Sequence, residues 1–238
     1  NMAASAESVS LWELCTGGTL LARLEKAIEA SAPSATSQPG AMPSCCPCLP
    51  EQEALELLGG VAEALAHLHG LGIIHYDVKS ENLLLGTDGL WKLGDFGSAS
   101  ERTFELASAA RSVLLDAEEF AHGRCTPIYR PPEVADVYLR WPIGPKVDIF
   151  ALGCVLFAGL TGRHPFPMDS ALANIQAKFF LPPEASGAYS PAPLRWVRRT
   201  LAREPAGRPS AAELAAEVRL FRRTGAEPAD APAPAQAP

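Results

Sequence analysis

Residues 73–85, IIHYDVKSENLLL, constrain this chain more than any other stretch. They set His75, Asp77 and Asn82 between two patterns of different period. Upstream, Leu55, Leu58, Ala62, Leu65 and His69 recur on one helical face, and Gly72 stands where a helix usually stops. Gly59-Gly60 inside that helix costs about 1 kcal/mol each relative to Ala. Downstream, the short apolar runs 83–85 and 91–93 are bridged by Gly86-Thr87-Asp88-Gly89, turn residues between strand-sized segments, which predicts a β-hairpin. The rest of the fold has to be arranged around this helix, polar loop and hairpin.

The remaining segments are mostly helical. Leu20, Leu21, Leu24 and Ile28 predict a helix over 19–30. Residues 31–50 turn to Ser, Pro, Ala, Thr and Gly, a composition too poor in apolar side chains to order itself, and read as an inserted loop. Residues 98–146 read as a long irregular region. Helices resume at about 147–160, 170–178, 191–202 and 210–222, the last opened by a Ser210-x-x-Glu213 capping box. The tail from 223, rich in Pro and Ala, is expected to be disordered. The architecture is mainly α with one small hairpin.

Several function classes are excluded at this stage. A net charge of −7 argues against a nucleic-acid or anionic-membrane surface. The basic stretch 195–203 reads as the solvated face of a helix whose Leu194, Val197 and Leu201 turn inward. The most apolar run, IFALGCVLFAGL at 149–160, is too short for the ~20 residues that span a bilayer and suits a buried core helix. No signal peptide opens the chain; it begins Asn1-Met2, which suggests a fragment, a processed product or an engineered start. Cys15, Cys125 and Cys154 stand singly, as reduced cytosolic cysteines do. The cluster Cys45, Cys46, Cys48 lacks a nearby His or a second C-x-x-C, so a flexible loop is favoured over a zinc site or lipidation.

The pattern H-x-D-x-x-x-x-N is weak alone. Its weight comes from the ordered series downstream: Asp95-Phe96-Gly97, then Pro131-Pro132-Glu133, Asp148 at the head of the apolar run, and Arg208 before the last helix. This series, with ELCTGG (13–18), KLGDFGSAS (92–100), CTPIYRPPE (125–133), KVDIFALGCVLF (146–157), HPF (164–166) and REPAGRPSAAEL (203–214), resembles the C-terminal lobe of a eukaryotic protein kinase. Within that family it is similar to the Numb-associated group, which includes the adaptor-associated and cyclin-G-associated kinases. The resemblance covers residues 9–222, apart from 31–50.

The resemblance implies a set of roles. Phosphoryl transfer asks a protein to hold the acceptor hydroxyl in line and to neutralise phosphate charge. Asp77 would orient the hydroxyl or accept its proton, and Lys79 would sit against the transferred phosphate. Asn82 and Asp95 would supply oxygen ligands to Mg²⁺, which prefers hard donors beside nucleotide phosphates. Trp12 falls at the gatekeeper position. The backbone of Glu13 and Cys15 would hold adenine in a hinge, with Leu84 as the floor under the base. Thr126 would line the substrate loop, and with Asp77 and Lys79 it favours Ser or Thr over Tyr as acceptor. Glu133 would pair with Arg208, Asp148 would tie the buried helix to the catalytic-loop backbone, and His75 is expected to pack rather than act as a base. Asp77, Asn82 and Asp95 are expected to be buried together, which without a function would be costly.

Two departures matter. Tyr76 stands where the family usually has an Arg that meets a phosphorylated activation-loop residue, and Tyr cannot pair with phosphate as a cation does. Upstream of the hinge-like segment there is no room for the glycine-rich loop, the strand Lys or the helix Glu of a kinase N-terminal lobe. The leading expectation is therefore a Ser/Thr kinase using ATP and Mg²⁺, represented by its hinge and C-terminal lobe and not competent alone. A non-catalytic kinase-like binding module is the alternative. The resemblance further implies a cytoplasmic location and protein substrates, with clathrin-adaptor components suggested by the subgroup.

Overall fold

A computed structural model describes residues 13–31, 48–167 and 171–227. Trp12, Cys45, Cys46 and most of the 31–50 stretch lie outside these residues. The elements in chain order are α1 (Leu20–Ser31), α2 (Glu51–Gly70), β1 (Leu83–Leu85), β2 (Trp91–Leu93), α3 (Arg111–His122), α4 (Pro132–Ala135), α5 (Lys146–Thr161), α6 (Ala171–Gln176), α7 (Pro183–Ala188), α8 (Pro191–Thr200) and α9 (Ala211–Thr224). Among the described residues the one sheet is the antiparallel pair β1–β2, with Leu83 opposite Leu93 and Leu85 opposite Trp91.

The core forms because α5 is apolar all round and the other helices are not. Fourteen of its residues, from Val147 to Thr161, are buried, as expected of a helix with no polar face. It ends at Gly162, whose φ of 70° is left-handed. α2 and α8 bring apolar stripes to it, Leu57, Leu58 and Leu65 from α2 and Trp196 and Val197 from α8, and α9 extends the same core with Leu214 and Val218 by packing on α2. Gly59 and Gly60 have a packing reason. A methyl at Gly59 would stand 3.2 Å from Val218 Cγ1, and one at Gly60 3.4 Å from the Trp91 carbonyl oxygen. Their bareness lets α9 and the hairpin approach α2. Gly153 does the same between α5 and α8.

A second, smaller core lies beside the first. Tyr76, Ile74, Phe104, Leu106, Val134, Val137, Ile143 and Val147 gather around Leu114, Ala117 and Ala121 of α3. The stretch 98–146 is thus not irregular throughout: it contains α3, whose inward residues fall at helical spacing. Three other expectations need correction. The stretch 31–50 does not lie wholly outside the ordered body, because Ser31 closes α1 and Leu49 is buried. Leu49 N–H donates to Gly159 O (3.0 Å) and its carbonyl accepts from Tyr189 Oη (2.7 Å). The last helix runs to Thr224, past residue 222, and its expected capping box is present at Ser210 and Glu213. Finally, α8 ends at Thr200, with Leu201 as its cap. No described helix is long and apolar enough to cross a membrane.

Candidate active site

The loop between α2 and β1 is fixed from below by one buried carboxylate. Asp148, in the first turn of α5, accepts from the backbone N–H of His75 (2.9 Å) and of Tyr76 (2.8 Å), and its Oδ2 meets His69 Nε2 at 2.8 Å. Tyr76 has a left-handed φ of 64°, a conformation costing a non-glycine residue on the order of 1–2 kcal/mol. The bonds to Asp148 offset that cost and aim the next residue, Asp77, away from the core. His75 packs against Phe96, with ring centroids 5.3 Å apart, and Nε2 lies 3.0 Å from Gly94 O.

Three side chains converge on Asp77. Thr126 Oγ1 donates to Oδ1 at 2.6 Å, with its own N–H at 3.3 Å. Lys79 Nζ donates to Oδ2 at 2.6 Å and lies 3.2 Å from Thr126 Oγ1. Asn82 Nδ2 reaches Asp77 O at 2.9 Å and Oδ2 at 3.4 Å. Burial by itself raises the Asp77 carboxyl, but the hydrogen bonds from Lys79 and Thr126 and the Lys79 charge outweigh it, so the group sits below the usual carboxylate value. Asp77 is an anion with both oxygens already engaged.

The hairpin brings Asp95 to the same end of the lobe. Asn82 precedes β1 and Asp95 follows β2, and Gly94 N–H donates to Asn82 O at 2.8 Å, which holds the two ends of the hairpin together. Asp95 also has a left-handed φ, 57°, and its carboxylate accepts from Gly97 N–H at 3.2 Å. Contrary to expectation it is exposed, so the cost of burying three polar groups applies to Asp77 and Asn82 alone. This pair fits Mg²⁺. Asn82 spends its Nδ2 on Asp77, so its remaining polar atom is an oxygen acceptor, and Asp95 offers an accessible carboxylate. Both are oxygen donors, few enough to leave positions for water and phosphate.

The hinge-like segment sits against β1. Gly17 N–H donates to Leu85 O and Leu85 N–H to Gly18 O, both at 3.0 Å. A Cβ at Gly17 would lie 2.7 Å from that carbonyl oxygen, so only glycine allows the approach. Glu13 is exposed and its carboxylate lies 3.5 Å from Lys92 Nζ; Cys15 is half-buried. Leu84, half-buried, bridges to Thr19 and contacts the Gly94 side of the site. Of the hinge and floor residues expected from the sequence, Leu84 lies beside Gly94 and Glu13 pairs with Lys92 of β2, while Asp77, Lys79, Asn82 and Thr126 form one hydrogen-bonded cluster.

The loop carrying Thr126 is anchored on both sides. Glu133 of α4 pairs with Arg208 at 2.6 and 2.8 Å, both side chains fully buried. On the other side, Tyr76 Oη donates to Arg102 O, and its ring meets Phe120 of α3 edge-on, centroids 5.6 Å apart. Burial, with Cys125 and Asp148 near, pushes the Tyr76 hydroxyl well up, so it stays a donor. Arg102 and Arg124 lie over the Phe120 ring at 4.9 and 3.9 Å. Sequence reasoning missed α3 and missed Asn174, whose amide joins this loop to α6.

The chain is similar to known proteins over most of its length. Residues 8–218 match the family described as Protein kinase domain. The chain is 29% identical over 221 residues, 92% of its length, to a probable serine/threonine-protein kinase of Dictyostelium discoideum, covering 18% of that protein. It is 33% identical over 139 residues, 56% of its length, to mouse serine/threonine-protein kinase 16, covering 45% of it. It is also 34% identical over 173 residues, 71% of its length, to serine/threonine-protein kinase ppk30 of Schizosaccharomyces pombe, covering 18% of it. The chain thus spans less than half the length of these relatives.

Proposed function

Because the chain belongs to the protein kinase family, we propose that it transfers the γ-phosphoryl group of ATP to Ser or Thr hydroxyls of protein substrates. The observation that carries this reading is the convergence of Lys79, Thr126 and Asn82 on Asp77. Asp77 orients the acceptor hydroxyl and takes its proton as oxygen bonds to phosphorus and the bond to ADP breaks. Lys79, held on Oδ2, places a cation on the phosphate side. Thr126 holds Oδ1, which couples the acceptor-binding loop to the base. Asn82 and Asp95 would hold Mg²⁺, which when bound neutralises phosphate charge.

The subgroup reading rests on DFGSA (95–99), YRPPE (129–133) and DIFALGC (148–154). It makes a Numb-associated kinase, acting in the cytoplasm on clathrin-adaptor components, the working assignment by analogy. Tyr76 supports a further point: loop phosphorylation is not the switch. Tyr76 holds residues 102–120 through an apolar contact and a neutral hydrogen bond, so position 76 itself brings no cation to a phosphate; the nearby Arg102 is paired with Asp116 and, like Arg124, lies over the Phe120 ring. Phosphomimetic changes between Ser98 and Thr126 are expected to leave activity unchanged; a tenfold rise would refute this.

The test is thermal unfolding of the 238-residue chain with ATP, with and without Mg²⁺, beside Asp95→Ala. At a hundredfold excess over Kd, ligand adds about 2.7 kcal/mol, roughly 5–10 °C at 2–4 °C per kcal/mol. A Mg²⁺-dependent rise of that order, lost in Asp95→Ala, supports a nucleotide site built on these residues. Its absence overturns that reading for this chain and favours the binding module. Phosphorylation of Ser/Thr peptides over matched Tyr peptides tests the acceptor class.

A further inference from the structure

Asn174 is a polar side chain, 3% exposed, inside the six-residue helix α6. Its Nδ2 lies 2.9 Å from Arg130 O and 3.3 Å from both Pro127 O and Ile128 O. Three carbonyl oxygens around one nitrogen fix which end of the amide faces the loop, since only the NH₂ end can donate. The carbonyls belong to the segment that directly follows Thr126. Within that segment Tyr129 N–H donates to Thr126 O and Arg130 N–H to Pro127 O, and the Arg130 side chain ties it back to Cys125 O and His122 O and the Tyr129 hydroxyl to Ser80, but Pro127, Pro131 and Pro132 have no N–H to give. A short turn rich in acceptors and poor in donors depends on an outside donor.

We propose that Asn174 is the positioning residue of the acceptor-binding loop. By gathering the carbonyls of 127–130 onto α6, it sets where Thr126 Oγ1 stands relative to Asp77, and so the geometry in which a substrate hydroxyl meets the base. It touches neither substrate nor phosphate. The inference rests on the kinase reading for its consequence, but not for the clamp itself. Glu133–Arg208 fixes the far end of the loop, so Asn174 is needed for the shape of 127–130 and not for attachment of the whole segment.

The test compares wild type with Asn174→Leu, which keeps the volume and removes the donor; Asn174→Asp, which keeps the shape and turns an anion toward three carbonyl oxygens; and Asn174→Gln, which retains a donor. Amide hydrogen exchange is followed across 126–131, together with peptide and ATP kinetics of the full-length protein. The expected result is exchange at Tyr129 and Arg130 faster by roughly tenfold in Asn174→Leu, more in Asn174→Asp and less in Asn174→Gln. KM for peptide should rise about as much, with KM for ATP unchanged. Unchanged exchange at 129–130 in the Leu and Asp variants overturns the proposal, as does a parallel rise in both KM values. A wild-type protein that phosphorylates nothing overturns the kinase reading instead, and exchange alone then decides the clamp.

Discussion

Arg208 offers the sharpest test of how the loop is held. All of its guanidinium N–H groups are used: Glu133 takes two, at 2.6 and 2.8 Å, and the carbonyls of Ala202, Lys146 and Arg203 take the others at 2.8, 3.0 and 2.9 Å. The Phe150 ring lies 4.8 Å below. Arg208→Leu leaves the Glu133 carboxylate buried and alone, a loss of about 3–5 kcal/mol. It also strips three carbonyls of a donor at about 1 kcal/mol each. The sum, roughly 6–8 kcal/mol, approaches the whole stability of a domain, about 5–15 kcal/mol. Adding Glu133→Leu removes the stranded charge and should return the 3–5 kcal/mol share, leaving the carbonyl share lost. Arg208→Lys should fall between, since an ammonium cannot serve both carboxylate oxygens in a fork. Urea unfolding measures this through the midpoint at constant slope. A double variant no more stable than Arg208→Leu would refute the reasoning, because the loss would then not come from a stranded carboxylate.

Three further outcomes are expected. Tyr76→Phe should cost about 1 kcal/mol and speed amide exchange in 102–120 more than in α5, as measured by hydrogen exchange. Lys79→Met should cost about 1.5–3 kcal/mol at neutral pH. The Asp77 pKa is lower folded than its ordinary 3.8, so its contribution is present above 3.8 and fades as pH falls through the folded value; the gap between wild type and variant should close over that acid range in a pH series of unfolding curves. Gly153→Ala would put a methyl 2.5 Å from Thr200 Oγ1 and 2.9 Å from Leu201 Cδ2, forcing α5 and α8 apart. It should cost about 1–3 kcal/mol, while Gly187→Ala, with nothing within 4 Å, should not lower Tm.

The parts that could be read from sequence are those decided locally. The hairpin was legible because its turn residues and short apolar runs lie within a few residues of each other. The buried helix α5 was legible because no polar face interrupts it, and the box at Ser210 because a cap is a four-residue device. α3 was hidden for the opposite reason. It opens at Ala110 with no side-chain cap, and Val113 and Leu115 face outward, blurring the stripe made by Leu114, Ala117 and Ala121. Those three at i, i+3 and i+7, with Gly123 after them, were the available signal. Leu49 was lost because composition averaged over twenty residues cannot show a single anchor. In the site, Asp77, Lys79 and Asn82 are marked by one motif and Asp95 by a second at a fixed spacing after it. Asn174 is not, because an Asn in a short helix reads as surface until the carbonyls it faces, 44 residues upstream and more, are known.

Tyr76 also sets how the closed loop responds to its surroundings. A clasp between a cation and a phosphate weakens as ions screen it and is undone by a phosphatase. A ring against Phe120 and a hydroxyl on a carbonyl carry no net charge. The Tyr76 contact should therefore persist in high salt, where the exposed Arg102–Asp116 pair within the same segment is screened, and should loosen on cooling, when apolar contacts lose strength.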